Sequence, residues 1–194
     1  MLKDPAIQVR ATAACVLADA AATLPAGVAE VLADALTGAH DEMRVRVAYT
    51  LRSIHPLPDV AAQALALAAS GEPGDPRVAA AAALAHHRRE ATRVVPILAE
   101  ALGDRRTAVR ISAALALGAL RDQARDAAPC LQPLLEDEDG AVRMHAAIAL
   151  GLMGALAPER RSLLDKALSD SDPRVRSWAE AAAKALDASR AAAR

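Results

Sequence analysis

The chain has 194 residues, 54% of them apolar, yet aromatics are 1% and Phe is absent, so alanine supplies much of the apolar share. Alanine is the strongest helix former and lets helix axes approach closely, which points to an all-α protein. A net charge of −1 and a pI near 6.5 argue against a surface built to neutralise a run of phosphates. Nucleic acid is therefore not an expected partner. The start, Met1-Leu2-Lys3-Asp4, lacks the apolar core of a signal peptide, and no stretch of about 18 to 20 residues is free of charge or Pro/Gly interruption. The expectation is a cytoplasmic protein with no membrane span.

Taken in order, Leu2 sits where Leu36, Leu102, Leu135 and Leu168 sit in later copies, at the end of a helix, so the first unit lacks its leading helix. Either the chain is cut from a longer array or something else supplies that helix. Asp4-Pro5 opens a predicted unpaired helix over 4–22, with Asp as N-cap and Pro at the first helical position; Asp75-Pro76 and Asp172-Pro173 repeat the device. Leu32, Leu65, Leu98, Leu131 and Leu164 are 33 residues apart, preceded by Val31, Ala64, Ile97, Cys130 and Leu163. They mark shorter helices predicted over 26–37, 59–70, 93–103, 126–136 and 159–169. Pro25, Pro58 and Pro158 lie near starts, Pro96 and Pro129 in first turns, and Pro133 is expected to bend its helix.

The second set of helices follows the stretch Asp137 to Leu152, an acidic turn, a Val-Arg pair and a helix rich in small residues. Its arginine recurs as Arg44, Arg77, Arg110, Arg143 and Arg176, with Arg10 one residue off that spacing. The leucine seven residues later recurs as Leu17, Leu51, Leu84, Leu117 and Leu150, and becomes Ala183 in the last copy. At 100° per residue, four positions share one face: the anchor (Val9, Met43, Pro76, Val109, Val142, Val175), then four (Ala13 to Ala179), eight (Leu17 to Ala183) and eleven residues later (Ala20, Ile54, His87, Leu120, Met153, Leu186). That face is expected on the partner helix. So regular a period is the mark of a solenoid whose units need their neighbours to bury an apolar face. Short connections make neighbours antiparallel. The count is five helix pairs after the unpaired helix, about 11 helices, in one solenoid over 1–194; the last helix is expected to fray in its Ala-, Ser- and Arg-rich end. Cys15 and Cys130, three units or roughly 30 Å apart at about 10 Å per packed helix, are expected to be reduced core thiols.

Aspartate, often proline, Val-Arg, paired alanines and Ala-Leu-Gly, with a leucine-rich helix between copies, resemble the HEAT-repeat family, in particular its short bacterial, phycobilin-lyase-type form. The resemblance covers nearly the whole chain and is weakest around 54–74. It implies a right-handed α-solenoid of HEAT-type helical hairpins, and a scaffold more often than an enzyme. It also implies a ladder in which each arginine pairs with the aspartate before it: Arg110 with Asp104, Arg143 with Asp137, Arg176 with Asp170 and Arg10 with Asp4. Gly38 and Gly71 stand at the matching place before Arg44 and Arg77, which makes those two the more available of the set.

The resemblance further implies that the Val-Arg helices line the concave side. Positions two, three, six and ten after the anchor point away from the partner helix, and here they are largely apolar: Val45, Arg46, Tyr49, Ser53; Val78, Ala79, Ala82, His86; Ile111, Ser112, Leu115, Ala119; Met144, His145, Ile148, Leu152. Contiguous apolar surface tends to mark a binding site. The expectation is a groove over the units of Val78, Ile111 and Met144 that receives an amphipathic helix or a second copy of the chain. The plainer reading is ordinary core, and full burial of Ile111, Leu115, Met144 and Ile148 would end the groove. Trp178 either covers the end of the core or anchors a partner.

Catalytic readings find little in the residues. Iron hydroxylases built on this scaffold hold metal with His-Glu pairs, and this chain has no His-Glu dipeptide. His40, His55, His86, His87 and His145 form no i, i+3 or i+4 ligand cluster. There is no CxxC, no Ser-His-Asp arrangement and no phosphate loop. A bilin lyase-like subunit, holding a tetrapyrrole near Arg46, Tyr49 and His86, is the alternative. A HEAT-like DNA glycosylase is a lesser one, because the expected concave face is apolar and Arg88, Arg89, Arg105, Arg106, Arg160 and Arg161 lie near turns. The sequence thus favours a non-catalytic adaptor without cofactor or metal.

Overall fold

The computed structural model describes residues 5–20, 25–71, 74–153 and 164–192. Among them are ten α-helices and no strand. The chain divides into two compact units, Met1–Glu90 and Ala91–Arg194.

The first unit holds α1 (Pro5–Ala20), α2 (Ala26–Gly38), α3 (Asp41–Arg52), α4 (Asp59–Ala69) and α5 (Asp75–His86). Helix α2 packs on α1, α3 and α4, and α5 on α3 and α4, as stacked hairpins require. Leu32, Leu36, Leu51, Leu65 and Leu84 are fully buried at the positions the period picks out, each worth about 1.5–3 kcal/mol. In α5 every residue from Ala79 to Ala85 is buried, because methyl side chains let neighbours close in on all sides. That helix starts at Asp75 itself, so Gly74 and not Asp75 holds the N-cap place. The Asp75 carboxylate lies in the first turn, where the helix dipole favours it. Asp4 lies outside the described residues. The helix ends in a Schellman arrangement: the Arg89 N–H donates to the Leu84 carbonyl (3.0 Å) and the Arg88 N–H to the Ala85 carbonyl (2.9 Å). Arg88 takes the left-handed place usually given to glycine, at φ 54°.

The second unit holds α6 (Ala91–Ala101), α7 (Thr107–Leu120), α8 (Gly140–Leu152), α9 (Asp165–Leu168) and α10 (Pro173–Ala192). Between α7 and α8, where a bent α-helix is predicted over 126–136, the chain forms two 3₁₀ segments, Arg121–Leu131 and Pro133–Glu136. Pro129 and Pro133 offer no N–H to the carbonyl four residues back, and their rings crowd it, so three-residue bonds such as Gln132 N–H to Pro129 O (3.1 Å) take over. This turns Cys130 outward: it is exposed, while Leu131 is fully buried. Cys15 is the core thiol; Cys130 is not. The predicted helix over 159–169 is described only from residue 164, and Pro158 falls outside. Helix α10 runs on to Ala192 where fraying is expected, its alanines holding the helix.

Two glycines set how closely helices stack in this unit. A Cβ on Gly118 of α7 would lie 2.9 Å from the Cα of Ala149 in α8, and one on Gly151 of α8 would lie 2.8 Å from the Cβ of Ala182 in α10. The Gly-Ala pairing repeats with the period, so the stacking distance is written into the Ala-Leu-Gly motif.

The arginine ladder exists, shifted by one repeat from the implied pairing. Arg143 donates through Nη1 to the carbonyls of Asp137 (2.8 Å) and Glu138 (3.2 Å), while Nε and Nη2 grip the carboxylate of Asp170 (2.7 and 3.0 Å). Arg110 likewise takes the Asp104 and Arg105 carbonyls and the Asp137 carboxylate (2.9 Å). Each arginine therefore holds the backbone of its own acidic turn and the side chain of the next. The Asp104 carboxylate goes to Arg106 instead, whose side chain and N–H hold its pKa down to about 2. Arg176 repeats the carbonyl half of the pattern at Asp170 and Ser171. Arg44 is not free: without a carboxylate at position 38 it is rerouted to the Leu36 carbonyl (2.7 Å) and to Asp41 (3.3 Å). Arg77 is partnered as well.

Candidate interaction surface

Helix α7 presents Ile111, Leu115 and Ala119 beside Met144, His145, Ile148 and Leu152 of α8, and α8 packs in turn on α10, which carries Trp178. All lie in the second unit. Ile111, Leu115, Met144 and Ile148 are neither buried nor open; each keeps part of its side chain in water. Leu152 is 37% exposed and Trp178 47%, so Trp178 does not close over the core. His145 belongs to the same row. Its Nδ1–H donates to the Ala141 carbonyl (2.7 Å), which leaves Nε2 as the outward acceptor.

The first-unit members of the predicted surface sit elsewhere in character. Val45, Arg46 and Tyr49 of α3 line an open depression of about 430 Å³ with Asp19, Glu42, Thr50 and Ser53. Tyr49 is 46% exposed. Val78 of α5 is half-buried, and Ala79 and Ala82 beside it are buried.

One grouping escaped the sequence reading. His55, after α3, meets His86 and His87 at the end of α5, with ring centroids 5.6 Å (55–86), 4.8 Å (55–87) and 5.7 Å (86–87) apart. Helices α3 and α5 pack side by side, so their C-terminal ends adjoin. A search for ligand spacing along one helix cannot see this. His87 donates from Nε2 to the Leu51 carbonyl at the end of α3 (3.0 Å), and His55 donates from Nδ1 to Ser53 (3.3 Å). Among the described residues no group of three His, Cys, Asp or Glu is placed to hold a metal ion.

Burial holds the pKa of both His86 and His87 below 6.5, with Arg52 and the other rings adding for His86, and His55 and Arg89 for His87. The folded protein thus binds fewer protons here than the unfolded chain. Their contribution to stability is complete above pH 6.5 and is lost as pH falls through the lowered folded values. The thermal midpoint of the wild type should fall between pH 7.5 and pH 5, and the double variant His86→Gln/His87→Gln should flatten that slope. An equal slope in both proteins would locate the acid sensitivity elsewhere.

All-helical stacking of this kind defines the armadillo- and HEAT-like class of repeat protein, and solved structures agree. A designed armadillo repeat protein in complex with the peptide (KR)4 superposes with a TM-score of 0.69 at 18% identity, covering 93% of this chain and 91% of that one. A computationally designed armadillo repeat protein for modular peptide recognition gives 0.68 at 20% identity, covering 93% and 92%. An engineered protein gives 0.68 at 21% identity, covering 93% of each chain. At these identities the likeness shows the fold alone. Within that class, residues 95–184 match the family described as HEAT repeats. No curated protein matches the chain. No helix among the described residues is long and apolar enough to cross a membrane.

Proposed function

We propose that the protein is a non-catalytic interaction module that receives an amphipathic helix of a partner protein on the row Ile111, Leu115, Met144, Ile148, Leu152 and Trp178. The observation that carries this reading is the partial exposure of that row together with the open Leu152 and Trp178. Apolar side chains left partly in water on the adjoining helices α7, α8 and α10 suit the i, i+4 stripe of a docked helix. A half-exposed Trp suits an anchor at its edge. The peptide complex of the designed armadillo protein supports a polypeptide ligand in general. The bilin reading fits the first-unit depression poorly, because Asp19 and Glu42 share it with Arg46 and would repel propionates.

Affinity capture compares wild type with Leu152→Glu/Trp178→Ala, both chosen from the most exposed side chains of the row so that folding is kept. A partner retained by wild type and lost by the variant supports the surface. Equal recovery, with matching circular dichroism, overturns it.

A further inference from the structure

The depression on the first unit offers a chemistry that the apolar row does not. Glu42, Arg46, Tyr49, Thr50 and Ser53 reach it from α3, and Asp19 from α1. Among the described residues, the side chains of Asp19, Glu42, Arg46 and Tyr49 have no hydrogen-bond or ion-pair partner, and all four are exposed. Glu42 and Arg46 stand four apart on one helix, a spacing at which such charges commonly pair, and here they do not. Asp41 and Arg44 of the same helix do (3.3 Å). At the places of Arg46 and Tyr49, helices α5, α7 and α8 carry Ala79 and Ala82, Ser112 and Leu115, and His145 and Ile148. A guanidinium beside a phenol thus sets α3 apart from these three helices. Helix α3 is packed on both α1 and α5. That packing leaves the row in water, so a further repeat of the same kind would not cover it.

The spacing of the charges describes the ligand. A rise of 1.5 Å per residue sets Arg46 about 6 Å along α3 from Glu42, and Tyr49 about 10 Å. Asp19 and Ser53 each stand ten residues after their anchors, Val9 and Met43, so the repeat sets Asp19 at the far end, about 16 Å from Glu42. The row reads negative, positive, aromatic, negative. In an extended chain alternate side chains share a face about 6.6 Å apart, so positions i, i+2 and i+4 span about 13 Å. Basic, acidic and basic residues at those positions meet Glu42, Arg46 and Asp19 in turn, the reach of the last side chain making up the difference. Its stem crosses Tyr49, whose ring face attracts a guanidinium. A free amino acid is too short to meet all three charges.

We propose that this depression binds an extended segment of a partner protein with basic, acidic and basic side chains at i, i+2 and i+4. A second copy of the chain does not supply it. Of the lysines and arginines in the 194 residues, only Arg88 has an acidic residue two positions on, Glu90, and Thr92 stands where the second basic residue would be. Site and occupant differ in chemistry from those of the second-unit row, and neither depends on the other.

The test uses the full chain with carbon-13-labelled tyrosine, whose single ring, Tyr49, lies in the site, and the peptide acetyl-Arg-Ser-Glu-Ser-Arg-amide. A saturable shift of the ring signals is expected, weakening as salt is raised. The same residues in the order Arg-Arg-Ser-Ser-Glu, equal in charge, should bind about tenfold more weakly, as should the first peptide to Asp19→Asn/Glu42→Gln. Arg46→Glu should move the preference to Arg-Ser-Arg-Ser-Arg, whereas Leu152→Glu should change nothing. No saturable shift, or equal affinity for the two orders, overturns the proposal. N-acetylarginine amide binding with the Kd of the pentapeptide overturns it too, since the site would then take a small cation. So does a Tyr49 shift that follows protein concentration without peptide, because a second copy would then fill the site.

Discussion

Replacing Arg143 by methionine should cost about 3 kcal/mol of unfolding free energy, in the range for breaking a largely buried ion pair from one side. The side chains of Arg143 and Asp170 are 17% and 8% exposed, and two guanidinium nitrogens grip the carboxylate. Methionine keeps much of the stem but leaves the Asp170 carboxylate, and the Asp137 and Glu138 carbonyls, without the groups that face them. Arg143 is the main reason the Asp170 carboxyl is held below its ordinary range, and the Asp172 N–H (2.8 Å) helps. In the wild type that contribution is present above the ordinary carboxylate pKa and is lost as pH falls through the lowered folded value. Arg143→Lys should recover only part of the loss, because an ammonium cannot make the two-pronged contact. The pair of Arg174 with Asp172, whose guanidinium lies in water, provides the comparison, and Arg174→Met should cost far less than Arg143→Met. Urea titration decides: similar midpoints for the two methionine variants would mean that the ladder contributes little.

Gly118→Val should cost about 3 kcal/mol, the upper part of the usual range for overpacking. The new side chain would meet the Ala149 Cα at 2.9 Å, its Cβ at 3.3 Å and the Leu152 Cδ1 at 3.4 Å. Backbone cannot swing aside as a side-chain tip can, so α7 and α8 must part. Even Gly118→Ala should be a net loss, although alanine brings about 1 kcal/mol of helix propensity. Gly27→Ala in α2, where nothing lies within 4 Å of the added atom, should be neutral or slightly stabilising. If Gly118→Ala and Gly27→Ala both stabilise, the close approach of α7 to α8 is not a constraint.

The residues that carry the 33-residue period were legible because burial repeats with it: Leu32, Leu65, Leu98, Leu131 and Leu164 sit where the spacing puts them, all fully buried. The arginine ladder was legible as a ladder but not in its register. The aspartate before each arginine and the one 27 residues after it are the same kind of residue in successive copies. Only the reach of the guanidinium across the stack decides between them. Cys130 could not be placed from the period, because two prolines four residues apart change the helix type and rotate it outward. The histidine grouping comes from two hairpins, and only the packing of α3 on α5 assembles it. For the candidate surface, rotation of the helices on paper identified one face. How far each side chain is left in water depends on how α7, α8 and α10 pack on one another, which no spacing rule states.

The interaction surface is tested most directly by isothermal titration of the captured partner into wild type and into Leu152→Glu/Trp178→Ala. Two anchors at about 2 kcal/mol or more each predict at least a hundredfold weaker Kd for the variant with its fold intact. Equal affinity for the two folded proteins would contradict the account.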